Sequence, residues 1–219
     1  VQAEAGQLFP EDVEALCLEA GEVWPANYNC PGQIVASGLR GGVERLVELA
    51  RNRGIKAKKL DIDGAFHSSV MAPATEKLRE ALSSVKINAP SLPFLSATTA
   101  AFERGGEHVR TILAQQLTAP VRFTQSVRMA LDHGIEGFVE FGPRRVLVGL
   151  VRRIRSDVQG AHLGEPAHDH AGLVRLRCVN MAEQHGRGRL RAVRRADGEL
   201  RPAAGTAARR QQPEHGARR

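Results

Sequence analysis

From Pro10 onward the chain alternates helical and extended patterns. Val13, Leu16, Cys17 and Ala20 recur at three- and four-residue intervals and mark one face of a helix. Pro10 opens it, Glu11 and Asp12 sit in the first turn where the helix dipole favours acids, and Gly21 stops it. Val23 to Tyr28 and Gln33 to Ser37 read as two short strands, joined through the turn-forming Asn29-Cys30-Pro31-Gly32 as a hairpin. A second helix carries Val43, Leu46, Val47 and Ala50 and ends in basic residues before Gly54, and Ile55 to Ile62 reads as a further strand. The order helix, strand, strand, helix, strand describes a βαββαβ (ferredoxin-like) unit without its first strand.

Beyond Ile62 the character changes. Ser68 or Ser69 can cap a helix with Pro73 in its first turn and an apolar stripe of Met71, Ala74, Leu78, Leu82 and Val85. A strand is predicted at Leu92 to Ala97, helices at 108–117 and 122–132, and a strand at Ile135 to Phe141. The turn Gly142-Pro143 leads to a final helix with Val146, Leu147, Leu150, Val151 and Ile154. Strands alternating with helices predict an α/β class with a parallel sheet. Three segments follow: a small ferredoxin-like subdomain over 1–62, part of a larger α/β subdomain over 63–154, and a tail over 155–219.

The tail changes the meaning of the charge. The chain has 219 residues, 42% hydrophobic and 25% charged, with net charge +7. Residues 155–219 hold 13 of the 31 basic residues, all Arg, against 7 acids, so the first two-thirds is almost neutral. Basicity therefore says little about a partner of the folded part, and nucleic acid is not an expected one. The tail has no Phe, Tyr, Trp or Ile, and it buries too little apolar area to offset its ordering entropy, which predicts disorder. It reads either as a natural basic tail that binds nucleic acid or acidic protein, or as the product of a shifted reading frame; thirteen Arg without one Lys favour the second.

Three cysteines, Cys17, Cys30 and Cys178, form no Cys-x-x-Cys pair and indicate neither a disulfide scaffold nor a zinc cluster. His168-Asp169-His170 lacks the fixed backbone and spacing of a metal site, so no metal is expected. No apolar run approaches the roughly 18 residues needed to cross a bilayer, and no basic-then-apolar leader is present, which predicts a soluble cytoplasmic protein without membrane contact. The chain begins at Val1, and nothing around it resembles a natural start, so a piece of a longer chain is expected.

Chemistry concentrates at few positions. His67 lies between a predicted strand and a helix N-terminus, where α/β proteins bind ligands. The dipole there favours the neutral imidazole of a general base; a loop histidine that helps cap the helix fits the position equally. Gln116 follows Val109, Ile112 and Leu113 on one helical stripe, and spacing alone favours a boundary amide bonded to a nearby loop over a site residue. Asn27 and Asn29 alternate with Ala26 and Tyr28 and either line a cleft or organise the turn. Cys30, before Pro31, is an ordinary turn residue rather than a nucleophile.

Four blocks carry a resemblance. They are Asn27-Tyr28-Asn29-Cys30-Pro31-Gly32-Gln33-Ile34-Val35-Ala36-Ser37-Gly38; Gly64-Ala65-Phe66-His67-Ser68-Ser69-Val70-Met71; Gln116-Leu117 ahead of Pro120-Val121-Arg122-Phe123; and Glu140-Phe141-Gly142-Pro143 with Val146-Leu147 and Gly149-Leu150. Together, over residues 10–154, they closely resemble the carboxyl-terminal half of the malonyl-CoA:acyl carrier protein transacylase family, an acyltransferase family shared with polyketide and fatty-acid synthases. The resemblance implies a partial α/β-hydrolase-like core beside the small subdomain. It also implies malonyl transfer from malonyl-CoA to the phosphopantetheine thiol of acyl carrier protein in fatty acid biosynthesis, without a cofactor. His67 corresponds to the family's base and Gln116 to the residue whose backbone carbonyl orients it. Asn27 and Asn29 would wall the substrate cleft, and Phe66 beside the base resembles the malonyl-selective form of the loop.

No Gly-x-Ser-x-Gly nucleophile elbow occurs in the sequence. The serine, the arginine that grips the malonyl carboxylate and the oxyanion loop belong to the family's preceding segment, so this chain alone is expected to be inactive. Arg144 stands where the family usually has Gly, and Ala97 where Asn is common. Alternative readings are an acyltransferase domain of a polyketide synthase, a non-catalytic fragment that binds carrier protein, or one that binds nucleic acid through its Arg-rich tail.

Overall fold

The computed structural model describes residues 2–4 and 9–164. They form a mixed α/β architecture. In chain order the regular elements are β1 (Gln2–Glu4), α1 (Pro10–Ala20), β2 (Val23–Cys30), β3 (Gln33–Gly38), α2 (Arg40–Asn52) and β4 (Lys56–Lys58). A 3₁₀ turn (Ser69–Met71) leads into α3 (Ala72–Ser83), followed by β5 (Phe94–Ser96), β6 (Ala101–Glu103), α4 (Gly106–Gln115), α5 (Phe123–Asp132), β7 (Gly137–Phe141), α6 (Val146–Ile154) and β8 (Gln159–Leu163).

The first four strands form one antiparallel sheet in the order β2-β3-β1-β4. The strand expected to be missing is therefore present: Gln2–Glu4 pairs with β3 on one side and β4 on the other. Three residues give too little alternation to register as a strand, and backbone pairing on both flanks places them. β4 stops at Lys58, which pairs with Gln2, although Ile55 to Ile62 reads as extended.

Helices α1 and α2 cover this sheet. Val13, Leu16, Cys17, Ala20, Val23, Ile34, Ala36 and Leu46 form a buried cluster. Each larger aliphatic side chain buried there contributes roughly 1.5–3 kcal/mol. Asp12 accepts the Phe9 backbone N–H at 3.0 Å, satisfying a donor at the start of α1. Gly38 and Gly42 are required by close approach: a Cβ at Gly38 would lie 2.2 Å from the Glu22 carbonyl oxygen, and one at Gly42 2.4 Å from that of Gly21. The end of β3 and the start of α2 are thereby pressed onto the α1–β2 corner.

The second part departs from the expected parallel sheet. β5 and β6 form an antiparallel hairpin, and the single parallel ladder among the described residues joins β7 to β8. β6 has no legible turn before it; Ala100 takes a left-handed φ of 56° where Gly or Asn would signal one. β8 also corrects the boundary of the tail. Residues 155–164 are ordered, because a parallel ladder needs backbone groups rather than aromatic side chains, and Gly160 lets α6 come down on the sheet. A Cβ there would lie 2.7 Å from Val148 Cγ1. Residues 165–219, with Cys178 and His168-Asp169-His170, lie outside the described residues.

A parallel bridge between Asn27 and Val121 stitches the two parts. The Val121 N–H donates to Ala26 O at 2.8 Å and the Tyr28 N–H to Val121 O at 2.9 Å. Thr124 Oγ1 donates to Tyr28 O at 3.2 Å. The Tyr28 hydroxyl in turn donates to Glu14 Oε1 at 2.7 Å; burial first, and that carboxylate second, push the phenol up.

Candidate active site

His67 sits on an irregular loop between β4 and the 3₁₀ turn, with φ of 62°, a left-handed conformation that costs a non-glycine residue on the order of 1 kcal/mol. The loop is held from several directions. Ser68, almost wholly buried, turns its Oγ back to the Ala65 carbonyl at 2.6 Å. It therefore tightens the loop instead of capping the helix, and Ser69 begins the 3₁₀ turn without a side-chain cap between them. Ser37 Oγ donates to the Phe66 carbonyl at 2.7 Å, and the His67 N–H donates to Leu117 O at 2.9 Å.

The imidazole itself meets two carbonyls. Nδ1 lies 2.8 Å from Gln116 O and 3.1 Å from Ala119 O. Both partners are pure acceptors, so the proton of the neutral ring resides on Nδ1 and the Nε2 lone pair is free of it. That tautomer and orientation are what a general base needs.

Gln116 thus meets the ring through its backbone. The expectation of an amide on the apolar stripe does not hold: Val109 and Ile112 are buried, whereas Gln116 is the exposed C-cap residue of α4, its own N–H bonded to Ile112 O at 3.0 Å. One helical stripe cannot extend past the last turn, and the chain bends at Thr118 and Ala119, whose N–H groups both bond to Gln115 O. This bend brings the Ala119 carbonyl to the histidine, a contact no spacing in the sequence announces.

Asn27, Phe66 and His67 line a cleft of about 640 Å³ together with Ala26 in the middle of β2, the end of β3, the start of α2 and residues 59–65. Arg40 and Lys59 stand in its wall beside Asp61 and Asp63, so both signs of charge are presented. Phe66 is 43% exposed. Asn29 is outside this lining: register shifts between Pro25 and Asn27 and between Tyr28 and Cys30 break the alternation that would have kept the two amides on one face. Its Nδ2 instead reaches Gln33 Oε1 at 3.5 Å across the hairpin turn. Cys30 is 3% exposed.

Among the residues lining the cleft the sole hydroxyl is Ser37, whose proton is engaged by Phe66 O. Among the described residues no cluster of His, Cys, Asp or Glu is arranged to hold a metal, and no helix is long and apolar enough to cross a membrane. Glu140, at the other end of the same half, accepts N–H groups of Val146 and Leu147 at 3.1 Å each and Val148 at 2.9 Å. Partial burial opposes its charge, but these three donors together outweigh it and hold the carboxyl below its ordinary range.

The model of the acyl transferase domain family matches residues 3–188. The malonyl CoA-acyl carrier protein transacylase of Bacillus subtilis is 39% identical over 149 residues, 68% of this chain and 47% of its own length. The crystal structure of an acyl-carrier-protein S-malonyltransferase from Burkholderia pseudomallei superimposes with a TM-score of 0.72 at 35% identity, covering 76% of this chain and 55% of that one. A malonyl-transacylase solved in complex with a type II PKS acyl-carrier protein gives 0.69 at 31% identity, over 75% of this chain and 53% of that one. The chain spans about half the length of the curated relatives it matches. With the family model matched over most of its residues and a histidine held by main-chain carbonyls in an open cleft, this chain belongs to the acyl transferase domain family.

Proposed function

We propose that this chain supplies the base-bearing half of a malonyl-CoA:acyl carrier protein transacylase site of fatty acid biosynthesis. Residues 1–62 are its ferredoxin-like small subdomain, and the residues from 63 belong to a large α/β-hydrolase-like subdomain. The order β2-β3-β1-β4 with two helices on one face supports the first assignment. The observation that carries the chemistry is the pair of carbonyls, Gln116 O and Ala119 O, on His67 Nδ1.

In this reading a seryl hydroxyl on the remaining half attacks the thioester carbon of malonyl-CoA while His67 Nε2 removes its proton. The Oγ–C bond forms, the C–S bond breaks, and the proton passes to the departing CoA thiolate. The phosphopantetheine thiol of acyl carrier protein then gives its proton to the same nitrogen as its sulfur attacks the seryl ester carbon; the S–C bond forms, the C–Oγ bond breaks, and the proton returns to the serine oxygen. The backbone carbonyls fix the tautomer, the part a third group plays in a triad. Asn27 and Phe66 flank the acyl group in the cleft. Asn29 supports the hairpin that presents Asn27.

The test joins the amino-terminal half of the Bacillus subtilis transacylase to this chain and follows labelled malonyl from CoA to acyl carrier protein. The fusion is expected to transfer malonyl, and His67→Ala to lower kcat by about 10²–10⁴-fold. A folded fusion without transfer, or one indifferent to His67→Ala, refutes the proposal.

A further inference from the structure

The bend that aims two carbonyls at His67 is only as firm as the two ends that hold it. At one end stands the last turn of α4. At the other, Val121 lies along the outer edge of β2, where its N–H reaches Ala26 O at 2.8 Å and its carbonyl takes the Tyr28 N–H at 2.9 Å. Pro120 alone separates Val121 from Ala119. The proline ring fixes its own φ and narrows the conformations open to the residue before it. Ala119-Pro120-Val121 is therefore a stiff lever: what holds Val121 also sets the direction of the Ala119 carbonyl, 3.1 Å from His67 Nδ1.

β2 is the end strand of its sheet, and the N–H and carbonyl of one strand residue point to the same side, so the Tyr28 carbonyl follows its N–H onto that outer edge. From Phe123 the chain turns into α5 and carries its main-chain donors away from the strand. Thr124, half-buried in the first turn of α5, replaces them with a side chain: its hydroxyl reaches the Tyr28 carbonyl at 3.2 Å, 96 positions back. α5 has no side-chain cap at its start, so this hydroxyl serves the strand and not the helix. Tyr28 is itself anchored, its own hydroxyl bonded to Glu14 on α1 at 2.7 Å.

We infer that Thr124 is a positioning residue for His67: its hydroxyl locks the Ala119-Pro120-Val121 lever onto β2 and so helps hold the ring proton on Nδ1. Thr124 is not among the residues lining the cleft and acts only through the lever. The task assigned to the histidine rests on the functional reading above, whereas the hold on its proton rests on the hydrogen bonds alone.

The experiment labels the histidines of the whole chain with nitrogen-15 and measures by NMR, at mildly alkaline pH, how fast the His67 Nδ1 proton exchanges with water; His67→Gln assigns the signal. Thr124→Ala and Thr124→Ser differ by one hydroxyl. Thr124→Ala should speed the exchange by about 2–10-fold, the weight of one neutral hydrogen bond, and Thr124→Ser should stay within about twofold of wild type. Thr111→Val, which removes an exposed hydroxyl bonded to Glu107 O within α4, should leave the rate unchanged. Far-UV circular dichroism accompanies every variant, and Thr124→Val, which keeps the side chain's shape, is compared with Thr124→Ser where the alanine does not fold. A wild-type His67 without a proton on Nδ1, folded Thr124→Ala and Thr124→Ser chains that exchange alike, or an equal acceleration by Thr111→Val each overturns the inference. Exchange that responds to Thr124→Ala beside a fused enzyme whose kcat ignores His67→Ala refutes the functional reading and leaves the lever standing. A kcat that falls with His67→Ala, with exchange indifferent to Thr124→Ala, does the reverse.

Discussion

Ser37 and Phe66 are joined by a 2.7 Å hydrogen bond from the Ser37 hydroxyl to the Phe66 carbonyl, which ties the end of β3 to the residue preceding the histidine. The bond spans the cleft wall and leaves the left-handed His67 less room to relax. A neutral hydrogen bond of this kind contributes about 0.5–1.5 kcal/mol. Ser37→Ala in the fused enzyme should therefore lower kcat by about 2–10-fold, leave KM nearly unchanged, and be rescued in part by Ser37→Thr. Steady-state kinetics of malonyl transfer checks it; a change confined to KM contradicts a positioning role.

The histidine and its carbonyl partner were legible in the sequence because the blocks around His67 and Gln116 are dense in residues of restricted type. The second acceptor, Ala119, was not, since an alanine carbonyl leaves no trace in side-chain pattern. Hydrophobic periodicity placed the helices well, as in α1 and α2, where buried positions recur on one face. It failed for β1, β6 and β8, which have three to five residues and owe their existence to backbone pairing with a neighbour. Asn27 and Asn29 read as sharing a face, but bulges in β2 break that period of two, and of the pair Asn27 lines the cleft.

Glu140 offers a test by pH. Its carboxyl is held below the ordinary value of about 4.5 by three helix N–H groups that outweigh partial burial. A depressed folded value means the folded state binds fewer protons than the unfolded chain, so the stabilisation is complete above 4.5 and is lost as pH falls through the folded value. Glu140→Gln should lower stability at neutral pH by less than about 1 kcal/mol, because solvent screens the charge and the amide oxygen still accepts. The difference should shrink below pH 4.5. Urea midpoints of the two proteins from pH 7 to pH 3 measure it; a gap that does not close in acid contradicts the ionic cap.

Cys17 is 3% exposed inside the α1–β3 cluster, and burial first, then the nearby Glu14 charge, push its thiol up to about 12. A raised folded value means the neutral thiol is favoured by the fold. Its contribution is full below the ordinary thiol value of about 9 and is lost as pH rises towards 12. In native buffer at pH 8 iodoacetamide should therefore modify Cys17 at least tenfold more slowly than in urea, because the thiolate is both scarce and covered. Peptide mapping of the alkylated protein reads the rate at this one residue. Equal rates in both conditions would place α1 off the sheet.

On the proposed function, Phe66 would bear on the choice of acyl group. Its ring folds back over Gly64, where a Cβ would lie 2.5 Å from Phe66 Cε2, and it remains 43% exposed in the cleft beside His67. A bulky ring next to the base crowds a methyl on C2 of the acyl group, and one methylene-sized clash or gap is worth about 1–3 kcal/mol of discrimination. Phe66→Ser in the fused enzyme should raise kcat/KM for methylmalonyl-CoA relative to malonyl-CoA by about 10–100-fold, without improving malonyl transfer. The competing rates are measured with both thioesters in one tube by mass spectrometry of the acylated carrier protein. An unchanged ratio would mean that residues other than Phe66 make the discrimination.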